Sequence, residues 1–318
     1  MIDVVVPTVG RPSVGVLLRS LTRELPAAST VVVVDDRPAG TGPAVPVPDD
    51  PRVRVVLGGG RGPAAARNAG WRATAAPWVA FVDDDVDLPT GWVRGLEVDL
   101  AAAAADVGAV QGRIDVPLPA GRRPTDWERN VAGLAGAPWI TADLAVRRTA
   151  LEAVGGFDER FPRAYREDTD LALRLLDAGW TLRRGTRRCR HPVRPAPWWV
   201  SVPAQRGNGD DVLLARRHGR SWRRRLGVAP GAFRWHAATT ALAGAAVAAG
   251  LAGRGRLATA SGLAWAASTA RFAWGRVAPG PRTRREVGAM VATSALIPPA
   301  AVWWRARGTV RWRGVGRA

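Results

Sequence analysis

Short apolar runs alternate with stretches whose apolar residues recur at helical spacing. Residues 2–6 read as a buried strand ended by Pro7-Thr8, and Val14, Leu17, Leu18 and Leu21 mark a helix behind Pro12-Ser13. Val31–Val34 is a second buried strand and stops at Asp35-Asp36. A Pro/Gly-rich loop leads to a third strand at Val53–Leu57. Gly58–Pro63 is a turn, Ala64–Thr74 a helix, and Trp78–Val82 a fourth strand. A helix from about Thr90 to Ala105 and a strand near Val107–Gln111 continue the alternation. After an irregular stretch come a strand at Ile140–Val146, a short helix at Thr149–Val154 closed by Gly155-Gly156, and a helix through Leu171, Leu175 and Leu176 closed by Gly179. Strands apolar on both faces lie in a sheet covered on both sides. The pattern therefore predicts an α/β fold with a mostly parallel sheet flanked by helices.

The fourth strand ends in Phe81-Val82-Asp83-Asp84-Asp85-Val86-Asp87. Open α/β sheets bind ligands at the carboxyl ends of their strands, where these acids fall. Like charges repel, so a fold that clusters them needs a reason. Two carboxylates one residue apart suit a hard divalent cation shared with a phosphate. The plainer reading is a solvated acidic turn that caps the next helix. The same choice recurs elsewhere. Asp35 or Asp36 can accept from the imide N–H of a uracil-type base or can simply close a turn. Gly62-Pro63-Ala64-Ala65-Ala66-Arg67-Asn68-Ala69-Gly70 runs from a Gly-rich turn into a helix whose N-terminus favours phosphate, with Arg67 one turn in. Glu167 and Asp168 open a helix, where the dipole favours ionised acids whether or not one serves as a general base.

Composition adds a second region. The 318 residues include 46 basic side chains, all arginine, and a net charge of +19. Twenty arginines against Asp210, Asp211 and Glu286 follow residue 200, so the excess belongs to the C-terminal third. No formal charge lies between Arg234 and Arg254, and Leu257–Ala270 and Val287–Trp304 are further apolar runs, the last interrupted by Pro298-Pro299. Apolar runs flanked by Arg and Trp suit a membrane surface or a span. The division expected is 1–195 for the α/β domain, 196–230 for a basic linker or helix, and 231–318 for a helical, membrane-associated appendage. The cytoplasmic face of the membrane is the expected location, with a soluble cytoplasmic chain as the alternative. The N-terminus lacks the basic region of a signal peptide. The single Cys189 excludes an intramolecular disulfide and any Cys-rich metal site.

Taken in order, the motifs resemble the family 2 glycosyltransferases of GT-A fold. They are the strand ending in Pro7-Thr8, the pair Asp35-Asp36, the Gly…Ala66-Arg67-Asn68-x-Gly70 segment, Asp83-x-Asp85, Gly155-Gly156-Phe157-Asp158-Glu159 and Glu167-Asp168. The resemblance covers roughly residues 2–191. It implies transfer of one sugar, with inversion, from a nucleotide sugar to a hydroxyl acceptor; the apolar, basic C-terminal region makes a lipid-linked or cell-envelope acceptor the expectation. A UDP-sugar is the favoured donor, and dTDP- or GDP-sugars are the alternatives. It implies that Pro7, Thr8 and Asp35 or Asp36 lie at the nucleobase and Arg67 near the nucleotide, with Glu167 on the donor side. Asp83 falls near the ribose, Asp85 on Mn²⁺ or Mg²⁺, and Asp168 is the base, which leaves Asp84 and Asp87 exposed or capping the helix that starts near Thr90. His191 is a further metal or phosphate ligand, or else a structural histidine before Pro192.

Two departures matter. The segment Thr141–Arg147 resembles the family's acceptor-side strand, but Asp143 stands where Asn is frequent, and Gln205-Arg206-Gly207-Asn208-Gly209 does not match the Gln-x-x-Arg-Trp of processive members, which argues against polymer synthesis. Two other classes are weighed. Sugar-phosphate nucleotidyl transfer lacks its basic Gly-rich loop, since Thr8–Pro12 is too short. Nucleic-acid binding would use Arg311-Trp312-Arg313 and Trp303-Trp304-Arg305, but these arginines flank apolar runs, which suits lipid better.

Overall fold

A computed structural model of the chain describes residues 1–316. The chain falls into two compact units, one of residues 1–117 and 133–192, the other of residues 118–132 and everything from Val193 onward. Residues 118–132 and the 196–230 segment thus group with the C-terminal helices.

The elements of the first unit are β1 (Ile2–Thr8), α1 (Ser13–Glu24), β2 (Val31–Asp35), β3 (Val53–Leu57), α2 (Pro63–Arg72), β4 (Trp78–Val82), α3 (Trp92–Ala101) and β5 (Val107–Asp115). Next in the chain comes α4 (Asp126–Ala132) of the second unit, then β6 (Asp143–Arg147), α5 (Arg148–Val154), α6 (Glu167–Asp177) and β7 (Thr181–Arg190). Seven strands form one sheet in the order β3-β2-β1-β4-β6-β5-β7. Only β6 runs against its neighbours, β4 and β5. Register sets Thr8 opposite Asp35, and Val82 opposite Asp143, so these residues share one edge of the sheet.

The apolar strands have a direct cause. Val4, Val6, Val31, Val33, Ala80 and Val82 pack into one core with Leu17, Leu21 and Leu96. Their neighbours Val5, Val32, Val34, Val79 and Phe81 pack into another, with Trp71, Leu151, Leu171 and Leu175. Alternate side chains point to opposite faces, and both faces are covered. Helix α2 lies close on the sheet: a Cβ at Gly70 would fall 2.3 Å from Val5 Cγ1. At the opposite end of the sheet, buried Asp3 accepts from the backbone N–H groups of Thr30, Ala75 and Ala76, tying the connections that lead into β2 and β4 to β1.

Beneath the β6 side lies a fully buried ion-pair network. The Arg187 guanidinium is 2.7 Å from Asp143 and 3.1 Å from Asp99, and it donates to the Val110 carbonyl. Trp92 Nε1 donates to Asp143 at 2.8 Å. Two glycines make room: a Cβ at Gly112 would sit 2.2 Å from Asp143 Oδ2, and one at Gly185 2.0 Å from Asp99 Oδ2. Asp143 therefore serves the core of the sheet. Cys189 is also fully buried on β7.

The second unit is helical: α4, α7 (Gly207–His218), α8 (Trp222–Arg225), α9 (Phe233–Leu251), α10 (Gly255–Val277) and α11 (Arg284–Arg311). The acids Asp210 and Asp211 fall in α7, so the segment after the Trp-rich loop is a helix rather than a flexible linker. α9 and α10 form a hairpin, with Thr239 and Ser268 hydroxyls 2.7 Å apart across it. α7 and α11 approach so closely that a Cβ at Gly308 would lie 2.7 Å from Gly209 Cα. Buried Arg276 donates to Asp126, Ser201, Thr293 and Ser294, gathering α4, the loop before α7, α10 and α11 onto one cation.

One expectation is corrected here. Pro298 and Pro299 do not interrupt the third apolar run; both lie inside α11. Proline removes intrahelical hydrogen bonds, but packing holds α11 on both sides of the pair through buried Met290, Ile297, Ala301 and Gly308. Among the described residues, α11 is the one helix long and apolar enough to cross a membrane, with mean hydropathy 1.4 over its best window and 39% of that window buried.

Because Asp143 is held by Arg187 and Trp92, it cannot yield to a new methyl group. Gly112→Ala is expected to destabilise the first unit by about 1–3 kcal/mol, read as a lower thermal midpoint by circular dichroism. An unchanged midpoint would mean that the Asp143 site has slack.

Candidate active site

The candidate residues occupy the carboxyl edge of the sheet. The turn after β4 resolves the repulsion among its acids by giving each a different partner. Asp83, whose side chain is 28% exposed, accepts from Arg67 at 2.7 Å. Asp84 is buried; it accepts from Thr8 Oγ1 at 2.6 Å and pairs with Arg11. Asp85, nearly buried, faces His191 Nε2 at 3.6 Å. The sequence reading left Asp84 as an exposed or capping residue. It is instead the internal tie between the first and fourth strand ends. Burial raises its pKa, opposed by Thr8 and Arg11. Asp87 is exposed, as expected.

His191 reaches Asp85 through the backbone. Asp87 and Arg190 form an isolated bridge, each N–H donating to the other's carbonyl at 2.8 and 2.9 Å, and His191 N–H donates to the Asp115 carbonyl. The end of β7 is thereby closed onto the turn after β4. His191 is buried, and its Nδ1 has no hydrogen-bond partner among the described residues.

The Asp pair after β2 is engaged within the protein. Asp35 accepts from Arg37 Nε at 2.8 Å and Nη2 at 2.7 Å, and these bonds hold its carboxyl below the usual range. Asp36 accepts from the N–H groups of Arg61 and Gly62, fixing the Gly-rich turn before α2. A Cβ at Gly58 would fall 2.7 Å from Asp36 Oδ1, so this turn needs its glycine. Thr8 spends its hydroxyl proton on Asp84 and accepts from Gly10 N–H. Pro7 lies within β1, one residue before its end, opposite Val34.

The Arg67-Asn68-x-Gly70 segment acquires a separate reason for each residue. Arg67, 2% exposed, bridges Asp83 and Glu167, the latter at 2.9 Å. Asn68 Oδ1 accepts from Phe157 N–H and Trp71 Nε1, while Nδ2 donates to the Phe157 carbonyl and Glu159. It thereby clamps the Gly156–Glu159 turn, where Gly156 has φ +77° and no room for a Cβ. Sequence reading missed this role of Asn68. A polar residue facing the apolar side of α2 was the available signal.

Glu167 and Asp168 open α6, immediately after Arg166 at φ +76°, a left-handed conformation that costs energy outside glycine. Glu167 is buried, and its Oε2 has no hydrogen-bond partner among the described residues. Asp168 accepts from Thr169 N–H at 2.6 Å and Thr169 Oγ1 at 3.2 Å. Burial raises the pKa of both acids. For Glu167 the charge of Asp168 adds to this and Arg67 opposes it; for Asp168 the Thr169 bonds and Arg67 oppose it. The helix terminus was expected to keep Asp168 ionised, but desolvation outweighs it. Asp83, Arg67, Glu167 and Asp168 therefore form one connected group, and Asp85 with His191 a second beside Asp83.

The profile of the family described as Glycosyl transferase family 2 matches residues 3–144. The pre-mycofactocin glycosyltransferase of Mycobacterium tuberculosis is 35% identical over 176 residues, covering 48% of this chain and 35% of that protein. Succinoglycan biosynthesis protein ExoO of Rhizobium meliloti is 44% identical over 92 residues, 26% of each chain. The chain thus spans about a third or less of the length of these curated relatives. Glucosyl-3-phosphoglycerate synthase from Mycobacterium tuberculosis, crystallised with Mn²⁺, uridine diphosphate and glucosyl-3-phosphoglycerate, aligns over 73% of this chain and 81% of its own at 17% identity and a TM-score of 0.46. The ordered motifs, the strand edge on which they meet and the profile match point one way: residues 3–144 are similar to glycosyl transferase family 2.

Proposed function

We propose that the first unit is an inverting glycosyltransferase that moves one sugar from a nucleoside-diphosphate sugar, by preference a UDP-sugar, to an acceptor hydroxyl. The observation that carries this reading is the convergence of Asp83, the Asp85–His191 pair and the Glu167–Asp168 pair on one sheet edge, with buried Arg67 joining the first to the last. Asp168 takes the proton of the acceptor hydroxyl as that oxygen attacks the anomeric carbon. The bond from that carbon to the diphosphate oxygen breaks, and the nucleoside diphosphate leaves with the electron pair. Attack opposite the leaving group inverts the centre. Asp83, partly exposed, accepts from ribose hydroxyls. Asp36 has used one N–H bond on each oxygen, and a carboxylate offers about four lone-pair positions. It retains capacity for a base imide N–H, more than Asp35, which is held by a bidentate arginine. Arg11 is spent on Asp84, which weighs against a nucleotidyltransferase with a basic loop at this place.

The donor set fits a divalent cation. Asp85 and His191 offer one carboxylate oxygen and one imidazole nitrogen 3.6 Å apart, and the buried imidazole is incomplete as it stands. Oxygen with imidazole suits Mn²⁺, and Mg²⁺ through the carboxylate. Among the described residues no cluster of three His, Cys, Asp or Glu forms, so the cation would depend on donor phosphate oxygens for its remaining ligands. Bound there, it would neutralise charge on the departing diphosphate.

The second unit supports a membrane-associated reading. Exposed Val247, Leu251, Leu257, Leu263, Trp274 and Trp303 accompany the arginine-rich helices, and α11 reaches spanning length. An anionic leaflet attracts such a surface. The acceptor that follows is lipid-linked or part of the cell envelope, with the protein at the cytoplasmic face.

Asp168→Asn should lower nucleoside-diphosphate release at least about 10²-fold, with donor affinity by calorimetry within a few-fold. Unchanged release sinks this assignment of the base. Because a base works deprotonated and burial raises the pKa of Asp168, the acid limb of kcat/KM should lie above the ordinary carboxylate value of about 3.9. Asp85→Asn should weaken Mn²⁺-dependent binding of uridine diphosphate by about 10-fold or more, with little change in metal-free binding. Equal losses with and without Mn²⁺ would remove Asp85 from the metal site. The full chain should float with phosphatidylglycerol vesicles and much less with phosphatidylcholine ones; remaining in the soluble fraction with both would refute membrane association.

A further inference from the structure

Among the buried ionisable groups, one at the edge of the proposed site stands apart. Arg67 is 2% exposed, yet it lies on the helix that follows the phosphate-facing turn, where an arginine would ordinarily be expected to reach the ligand. Its Nη2 is 2.7 Å from Asp83 and its Nη1 2.9 Å from Glu167, with the guanidinium carbon 5.8 Å from the centre of the Phe157 ring. Nε has no partner among the described residues. The helix that carries it cannot move freely. Gly70 abuts Val5, and Asn68 clamps the Phe157 turn.

We propose that Arg67 is a positioning residue: its guanidinium, spanning Asp83 and Glu167, fixes the donor-side acid to the base-bearing helix and supplies the buried counter-charge that lets Asp168 give up its proton. This rests on the reading of Asp168 as the base. Two carboxylates, Asp83 and Glu167, pair with one buried guanidinium, and the Asp168 carboxylate lies within its electrostatic reach. The other charged neighbour of Asp168 is Arg166 on its own helix, and Thr169 donates to it. Asp83, 28% exposed, is open enough to meet a ribose, while Arg67 and Glu167 are 2% exposed. Contact with the ligand thus enters at Asp83 and is passed inward through Arg67. Removal of Arg67 leaves Glu167 beside Asp168 with only Arg166 and the Thr169 bonds to offset the charge on Asp168, and like charges disfavour ionisation. Loss of the Glu167 charge does the opposite. Two adjacent buried side chains should therefore move the Asp168 midpoint in opposite directions, which a merely structural role for either would not do.

The test is a carboxyl-carbon NMR titration of the full chain, with the Asp168 signal assigned by its disappearance in Asp168→Asn. Arg67→Met should raise the midpoint by about one pH unit or more, Glu167→Gln should lower it, and Arg67→Lys should hold it within about half a unit. The double variant Arg67→Met/Glu167→Gln removes the pair together, so it leaves no lone buried charge. It should return toward wild type, and it serves if Arg67→Met alone does not fold. The acid limb of uridine diphosphate release from UDP-glucose should follow the same order, so that Arg67→Met loses up to about tenfold on the acid limb and regains it at higher pH. An Asp168 midpoint unmoved by Arg67→Met, or by the double variant relative to Glu167→Gln, overturns the proposal. So does a rise in the donor KM alone, which would place Arg67 on the nucleotide. Midpoints that shift as stated, in a protein that turns over no nucleotide sugar, would uphold the coupling and refute the glycosyl-transfer reading instead.

Discussion

Three consecutive carboxylates at the end of a buried strand cannot stay together unless each finds its own compensation, and the first unit is built around that requirement. Asp83 turns to a buried arginine on α2, Asp84 to the end of β1, and Asp85 to the histidine after β7. Each partner arrives from a different part of the chain. The strand order, the close approach of α2 permitted by Gly70, and the Asp87–Arg190 bridge all serve to deliver them. Without the acids these features have little in common; with them they describe one solution to electrostatic crowding.

Much of this was legible in the sequence, and for physical reasons. Strands buried on both faces have to be apolar at every position, so β1, β2 and β4 stood out directly. Acids at their ends interrupt apolar runs and are equally visible. The partners of those acids were not. That Arg67 would turn to Glu167, a hundred residues away, and that Thr8 would give its proton to Asp84, depends on tertiary register, which no local pattern encodes. Asp84 was misjudged for the same reason, since a residue between two site acids looks exposed until the neighbouring strand end is placed. Asp143 looked like an acceptor-side residue because of its place in the motif order. Only the arrival of Arg187 from β7 shows it to be part of a buried pair.

The second unit shows where pattern alone misleads. Proline pairs usually end helices, and the sequence reading broke the third apolar run at Pro298-Pro299. α11 passes through them because its contacts lie on both sides. Arg276 illustrates the converse. In so arginine-rich a chain no single arginine attracts notice, yet this one is a buried hub with four hydrogen-bonded side-chain partners. Severing a buried ion pair of this kind typically costs about 3–5 kcal/mol, because the remaining charge is stranded.

The lone thiol of Cys189 has a practical consequence. It is completely covered and lies on an edge strand, two residues before His191, and burial raises its pKa far above that of a free cysteine. In the closed state neither the thiolate nor access for a reagent is available. Its rate of alkylation therefore reports how often the β7 edge peels from the sheet. A single sulfur thus acts as a built-in clock for local opening at the strand that carries the histidine, and it can be read without introducing any probe.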